Sequence, residues 1–404
     1  METKRLIIWG TGNTGSNFYK KYKNIISLNV CTNSDENPVP IEGMEVIHYK
    51  ELDKTKDFII ICSIFHEEIE RRLSIDGWVF GYNYMTADLF EAKFQAKEGS
   101  KKLLVSIGRC HIGRISAILN SIHGFKKNYV VVHFAQPKVC ISDSEFDYAK
   151  LIQCIEMLKY ADIFLHPAAV ASKTIKDYAY LEEKVPSKCM IIRVSLPTFE
   201  SYWPQDTGKE RDIAKWYITP YGKNLKAFGE RDYIIEELIE RGKSKKEIIE
   251  IISDENYFDK ENLLANHNRT MTRAYFWDRI SDIKIADFIE ENYNIKKLYC
   301  DRGHLHQNLL KEYIRRILVL LSETECIHNI VGGGMLEEAE LSMPTDSLIY
   351  PSTAKGLGLR FIDHESLFRF QLVDGSKFVT FSEGLEMQIE YYMRAKSLLE
   401  MCYR

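Results

Sequence analysis

The chain contains no Cys-x-x-Cys pair. Its nine cysteines (Cys31, Cys62, Cys110, Cys140, Cys154, Cys189, Cys300, Cys326 and Cys402) are odd in number and widely scattered. That spacing excludes a disulfide framework and a structural zinc site, no metal is expected, and a reducing compartment fits best. An excess of charge is also missing. The 54 basic and 58 acidic side chains leave a formal net charge of −4, and Lys243, Lys245 and Lys246 sit beside acidic residues. This suits a solvated helix face rather than a phosphate track, so no nucleic-acid partner is expected. No apolar stretch reaches the ~18–20 residues that span a bilayer. The opening METKRLIIWG enters a strand directly, without the apolar core of a signal peptide. The expectation is a cytoplasmic protein with no transmembrane segment. Internal repeats and low-complexity tracts are absent as well. What remains is 404 residues of ordinary globular composition, long enough for two domains.

The pattern along the chain is α/β. RLIIW reads as a buried strand, GTGNTG as a turn and SNFYKKYKNI as an amphipathic helix; LNVCTN, EVIHY and DFIIICSI are further strands, and HEEIERRLSIDG is a helix stopped at Gly77. With VFGYNY as an edge strand, residues 1–98 predict a small Rossmann-like parallel sheet. The polar EAKFQAKEGSKK reads as the linker. From 101 to 404 the alternation restarts with KLLVSIG, ISAILNSI, YVVVHFA, LIQCIEMLKY, ADIFLHP and KCMIIRVSLP. From about 208 to 294 the signal is helical and predicts an inserted subdomain, with Ser244 and Glu247 spaced as a capping box. The run RTMTRAYFWDRISDIKIADFIEENY reads as one long helical stretch. KKLYCDRGH then returns to a strand, NLLKEYIRRILVLL is a helix, and the tail from Pro344 is mixed and ends in an amphipathic helix.

Gly10, Gly12 and Gly15 form Gly-x-Gly-x-x-Gly between the first strand and helix. There the first glycine permits the turn, the second admits a phosphate to the backbone, and the third allows close helix packing. A nucleotide or nucleotide-sugar is one reading, with Asp35 or Glu36 as ribose ligands; glycines that serve only strand-helix packing are the other. The unit resembles the small Rossmann-like domain found at the N-terminus of bacterial sugar-modifying and polysaccharide-assembly enzymes, on the strength of IIWGTGNTGSNFY, the Ser-Asp-Glu-Asn turn and IIICSIFHEEIERRL.

Gly108-Arg109-Cys110-His111 leaves a strand and opens a helix, which sets a thiol where a helix N-terminus and a backbone N–H face outward. Asp301-x-x-His304 puts a carboxylate within reach of an imidazole base on one loop. His166 ends another strand before Pro167. Three strand ends thus predict Cys110, His166 and Asp301 with His304 at one sheet edge, the edge where open α/β sheets bind ligands. Each residue alone also has a bland role: a core thiol for Cys110, or a backbone hydrogen bond for His111, His166 or His306.

The segments VSIGRCHIGRISAIL, ADIFLHP, SLPTFESYWP, DYIIEELIERGKSKKEI, DIKIADFIEENYNIKKLYCDRGH and IYPSTAKGLGLRF occur in the order of the WcbI-like family of polysaccharide-biosynthesis proteins, which residues 101–404 resemble. The resemblance implies an SGNH-hydrolase-like α/β fold and acyl transfer from acetyl-CoA, or coenzyme A binding. Its glycan acceptor would be a capsule or lipopolysaccharide precursor. It implies Cys110, His304 and Asp301 as catalytic residues and Gly108, Arg109, His111 and His166 as neighbours of coenzyme A, with Arg114 and Arg302 near its phosphates. The family pattern Gly-Asn-Cys-Gln is here Gly-Arg-Cys-His, and its His-Pro is His304-Leu305. An esterase or thioesterase of the same fold, and a non-catalytic nucleotide-sugar or coenzyme A sensor, are the alternatives; an oligomer is compatible with each.

Overall fold

The structure, a computed structural model, describes residues 4–28, 30–33, 40–41, 44–98, 101–135, 148–169, 178–206, 232–330, 346–372 and 375–402. It divides into two compact units. The first holds Met1–Ser116, Gly124–His166 and Ala171–Ile191; the second holds Ala117–His123, Pro167–Val170 and Ile192–Arg404.

In the first unit, β1 (Arg5–Trp9), β2 (Val30–Asn33), β3 (Glu45–His48), β4 (Asp57–Ile61) and β5 (Tyr84–Thr86) form a parallel sheet in the order β3-β2-β1-β4-β5. β1 and β4 are central and covered on both faces, which is why they read as continuous apolar runs: Ile7, Ile8, Ile59 and Ile60 are fully buried. Arg5 donates to both carboxylate oxygens of Asp57, at 2.9 and 3.1 Å, and aligns the start of these two strands. The strand order reverses between β1 and β4, so the ends of those strands open a crevice. α1 (Asn13–Tyr22) follows β1 and α2 (His66–Ile75) follows β4. Asp35 and Glu36 lie outside the described residues.

The expected linker is corrected. EAKFQAK is the C-terminal part of α3 (Ala87–Lys97), which buries Leu89 and Ala92. Leu89 and Ala92 pack into one apolar cluster and Ala87, Phe90 and Phe94 against another, so its apolar residues do not fall on a single stripe that marks an amphipathic helix.

A second sheet, ordered β7-β6-β8-β9, consists of β6 (Lys102–Gly108), β7 (Tyr129–Ala135), β8 (Ile163–Pro167) and β9 (Met190–Val194), with β6 parallel to β7 and to β8. The two sheets share an apolar core: Trp9, Ile61, Trp78 and Leu89 belong to one cluster with Val105, Ile107, Met157 and Phe164. α4 (Cys110–Ser121) leaves β6, and α5 (His123–Asn128), α6 (Tyr148–Leu158) and α7 (Tyr178–Glu182) complete this region.

The described part of the second unit is mainly helical, with α8 (Tyr233–Glu240), α9 (Lys245–Ile252), α10 (Lys260–Arg279), α11 (Ala286–Asn292), α12 (Gln307–Leu320), α13 (Pro351–Leu357) and α14 (Phe381–Cys402). Ser244 and Glu247 form the expected capping box on α9. The single long helical stretch is corrected to two helices, α10 and α11. Between them Ile283 pairs with Val194, and the Asp278 carboxylate accepts from the N–H groups of Ile285 (3.0 Å) and Ala286 (2.8 Å). This satisfies the unpaired donors at the start of α11 and makes the break stable. KKLYC is also corrected: it is no sheet strand. It contributes one arm of a short hairpin whose lone bridge joins Tyr299 to Leu305. The mixed tail contains an antiparallel hairpin, β10 (Phe368–Leu372) with β11 (Gly375–Val379), that buries Phe368 and Phe370.

Candidate functional site

The 298–306 hairpin is closed by two backbone bonds of 2.8 Å, from Cys300 N–H to His304 C=O and from His306 N–H to Leu298 C=O. Phe199 N–H bonds Arg302 C=O at 2.9 Å, and the Tyr299 ring stacks on Phe199 at 5.0 Å, so the tip is fixed from outside as well. Asp301, 2% exposed, sits inside the turn. One of its oxygens accepts the N–H groups of Gly303 and His304 at 2.8 and 2.7 Å; the other is 2.6 Å from His304 Nδ1. A carboxylate can only accept, so the proton lies on Nδ1 and Nε2 carries the lone pair. The His304 side chain is 33% exposed. A buried acceptor thus orients a reachable imidazole as a base. His306 plays a different part. It caps α12, its Nδ1 accepting Asn308 N–H at 3.3 Å, and burial, with Lys297 nearby, lowers its pKa to about 4. Leu305 is buried.

In the first unit, Gly108 ends β6 and Cys110 opens α4 as an exposed cysteine. A Cβ at Gly108 would stand 2.7 Å from the Ile112 side chain, so the close strand-to-helix turn requires glycine. Arg109 is exposed and its C=O accepts Gly113 N–H at 3.1 Å; His111 and Arg114 are half-buried. The first turn of α4 carries no acidic residue, which leaves its partial positive charge to an anion. His166 lies on the neighbouring strand β8 but is 1% exposed, with Nε2 3.1 Å from Glu182 and its ring stacked on Tyr178 at 4.9 Å. Its place on the ligand-facing edge does not open it to solvent.

Sequence reasoning passed over a hydrogen-bonded group beneath α4. Ser106 Oγ is 2.7 Å from Ser116 Oγ and 3.0 Å from His133 Nδ1, and a Cβ on Gly113 would be 3.0 Å from His133 Nε2. Gly113 is one turn from Cys110, so this histidine reaches the base of the same turn. Burial lowers the pKa of His133. The available signal was a serine and a histidine placed mid-strand in otherwise apolar runs, at register Ser106 with His133.

The structure therefore brings Asp301 and His304 into contact, and it holds Gly108, Arg109, Cys110 and His111 on one turn. The two sets belong to different compact units.

The glycine loop lines a cavity of ≈ 550 Å³ in the crevice between the ends of β1 and β4. Gly10 has φ +118, and a Cβ there would be 2.5 Å from Cys62 C=O; one on Gly15 would be 1.8 Å from Gly10 C=O. Packing alone explains both. At Gly12, the N-cap of α1, a Cβ would meet nothing within 4 Å, and packing does not explain this glycine.

No helix of the described residues is long and apolar enough to cross a membrane. No curated protein matches the chain. A solved structure of WcbI, described as a novel polysaccharide biosynthesis enzyme in a native form without a disulfide bond between coenzyme A and one of its cysteines, is similar over 74% of this chain and 94% of its own, with a TM-score of 0.53 and 17% identity. Residues 141–324 match the family model of the polysaccharide biosynthesis enzyme WcbI, a stretch that includes His166, Asp301 and His304 but not Gly108–His111. Residues 141–324 are accordingly similar to the WcbI polysaccharide-biosynthesis family, and the chain has an α/β fold.

Proposed function

We propose that the protein transfers an acyl group, acetyl in the simplest case, from coenzyme A to a hydroxyl of a capsule- or lipopolysaccharide-type glycan precursor. The observation that supports this reading is the Asp301–His304 pair, with Nδ1 held at 2.6 Å by a buried carboxylate and the imidazole partly exposed. His304 Nε2 takes the proton of the acceptor hydroxyl as its oxygen attacks the thioester carbonyl. The C–S bond breaks, and the imidazolium returns the proton to the departing sulfur. Asp301 fixes the productive tautomer and steadies the imidazolium. Coenzyme A and a cysteine are named together for the WcbI structure, and Cys110, exposed at the start of a helix with no acidic residue in its first turn, is the matching candidate here. Arg109 and the N–H groups of that turn suit the donor's phosphates.

The test mixes acetyl-CoA with the protein and a panel of nucleotide-linked sugars and polysaccharide fragments. Calorimetry follows coenzyme A binding, and mass spectrometry follows coenzyme A release. Release should depend on an acceptor and fall at least about 10³-fold in His304→Ala. Equal release without any acceptor, full turnover in His304→Ala, or no coenzyme A binding at millimolar concentration refutes the reading.

A further inference from the structure

The proposed acyl transfer makes no use of the cavity at the ends of β1 and β4. Three features of its walls concern a ligand. The floor is the glycine loop, where Gly12 exposes bare backbone at the start of a ten-residue helix that has neither a capping side chain nor an acidic residue in its first turn. Arg72 reaches in from α2, its guanidinium lying over the Tyr49 ring at 4.3 Å; Tyr49 in turn packs on Trp9 at 4.7 Å. The third wall, on the β4 side, consists of Ile64 and Phe65, which are 80% and 66% exposed. Large apolar side chains left in water at a cavity mouth cost free energy that a bound partner recovers.

The order of these walls sets the order of the ligand. In a doubly wound sheet the nucleoside lies toward β2 and the diphosphate over the glycine loop, so the next group falls on the β4 side. That side offers the Phe65 ring for the apolar C–H face of a pyranose, with Glu68 as an acceptor for hydroxyls. We propose that this cavity binds a nucleoside diphosphate sugar, its diphosphate on Gly12 and Arg72 and its sugar ring against Phe65. The site stands independently of the acyl-transfer reading and supplies a place for a sugar still attached to its activated carrier.

Calorimetry with UDP-glucose, ADP-glucose, UDP, NAD⁺ and inorganic pyrophosphate tests it. Gly12→Asp is the informative variant. Its Cβ meets no protein atom, aspartate is a favoured N-cap, and so the fold is retained or stabilised while a carboxylate occupies the diphosphate position. At least one of the two sugar nucleotides should bind, and Gly12→Asp should weaken it at least about tenfold with an unchanged or higher melting temperature. Arg72→Gln should weaken sugar nucleotide and UDP alike, and Phe65→Ala should weaken the sugar nucleotide more than UDP. Unchanged binding in Gly12→Asp overturns the proposal. So does pyrophosphate binding as tightly as either sugar nucleotide, or NAD⁺ binding where neither sugar nucleotide does.

Discussion

Replacing Asp301 by asparagine changes one atom at the centre of the hairpin and should invert the tautomer of His304. In the native turn one carboxylate oxygen takes the N–H groups of Gly303 and His304, and the other faces Nδ1 at 2.6 Å. A hydrogen bond to a charged acceptor contributes about 2 kcal/mol, which favours the Nδ1–H tautomer by about 30 to 1. The introduced amide can keep its oxygen on the two backbone donors, so the hairpin should survive. Its NH₂ then meets Nδ1, and the proton moves to Nε2, the nitrogen that must accept. In triads of this logic such a change costs about 10⁴-fold in turnover, and a loss of about 10³–10⁴-fold is expected here with acetyl-CoA binding unaffected. Nitrogen-15 NMR of histidine-labelled protein reads the tautomer without any acceptor, with His304→Gln used to assign the signal. If the native and Asp301→Asn proteins show the same His304 tautomer, the orientation argument fails.

Other expectations follow from groups away from this turn. Burial raises the pKa of Asp232, which caps α8 and accepts the Tyr350 hydroxyl at 2.8 Å, from 3.8 to about 6. A raised carboxyl contributes stability that is complete below the unfolded value and is lost as pH rises through about 6, here about 3 kcal/mol; urea unfolding at pH 4 to 8 should show that decline in the native protein and not in Asp232→Asn. Gly10→Ala combines a left-handed backbone with an overlap on Cys62 C=O, and should destabilise by about 2–4 kcal/mol in thermal unfolding; a loss below about 1 kcal/mol contradicts the packing assigned to that turn. Ser106→Ala leaves Ser116 and His133 short of a buried partner and should lower stability by about 1–3 kcal/mol, against little change for an exposed serine such as Ser74.

The central strands β1, β4 and β6 were legible because each is buried on two faces and reads as a continuous apolar run. The edge strand expected at VFGYNY is corrected: Gly81–Asn83 form a turn, and β5 starts only at Tyr84. The Ser244–Glu247 cap was legible because it is local. KKLYC misled for a related reason. Leu298 and Tyr299 are fully buried, and burial rather than strand pairing shapes the apolar pattern, so one bridge and a full strand look alike. The Asp301-x-x-His304 contact could be read from spacing, since three residues in a turn bring both side chains together. His133 had no such signal; only the register of β6 with β7 sets it beside Ser106. The surroundings of Phe65 were equally hidden, because its exposure depends on where the chain turns after β4.

The apolar cluster that joins the two sheets has a thermodynamic consequence. Trp9 and Ile61 lie at the ends of the strands that form the glycine-loop cavity, and Val105 and Ile107 lie under the turn that presents Cys110, yet all four belong to one core. The strand ends on which both ligands would sit therefore melt together rather than in turn. A ligand that binds only the folded state stabilises everything that unfolds with its site, by about 2.7 kcal/mol at one hundred times its dissociation constant. Hydrogen exchange along β6 should slow when the N-terminal cavity is filled, so that an activated sugar would steady the strand carrying the thiol turn without touching it.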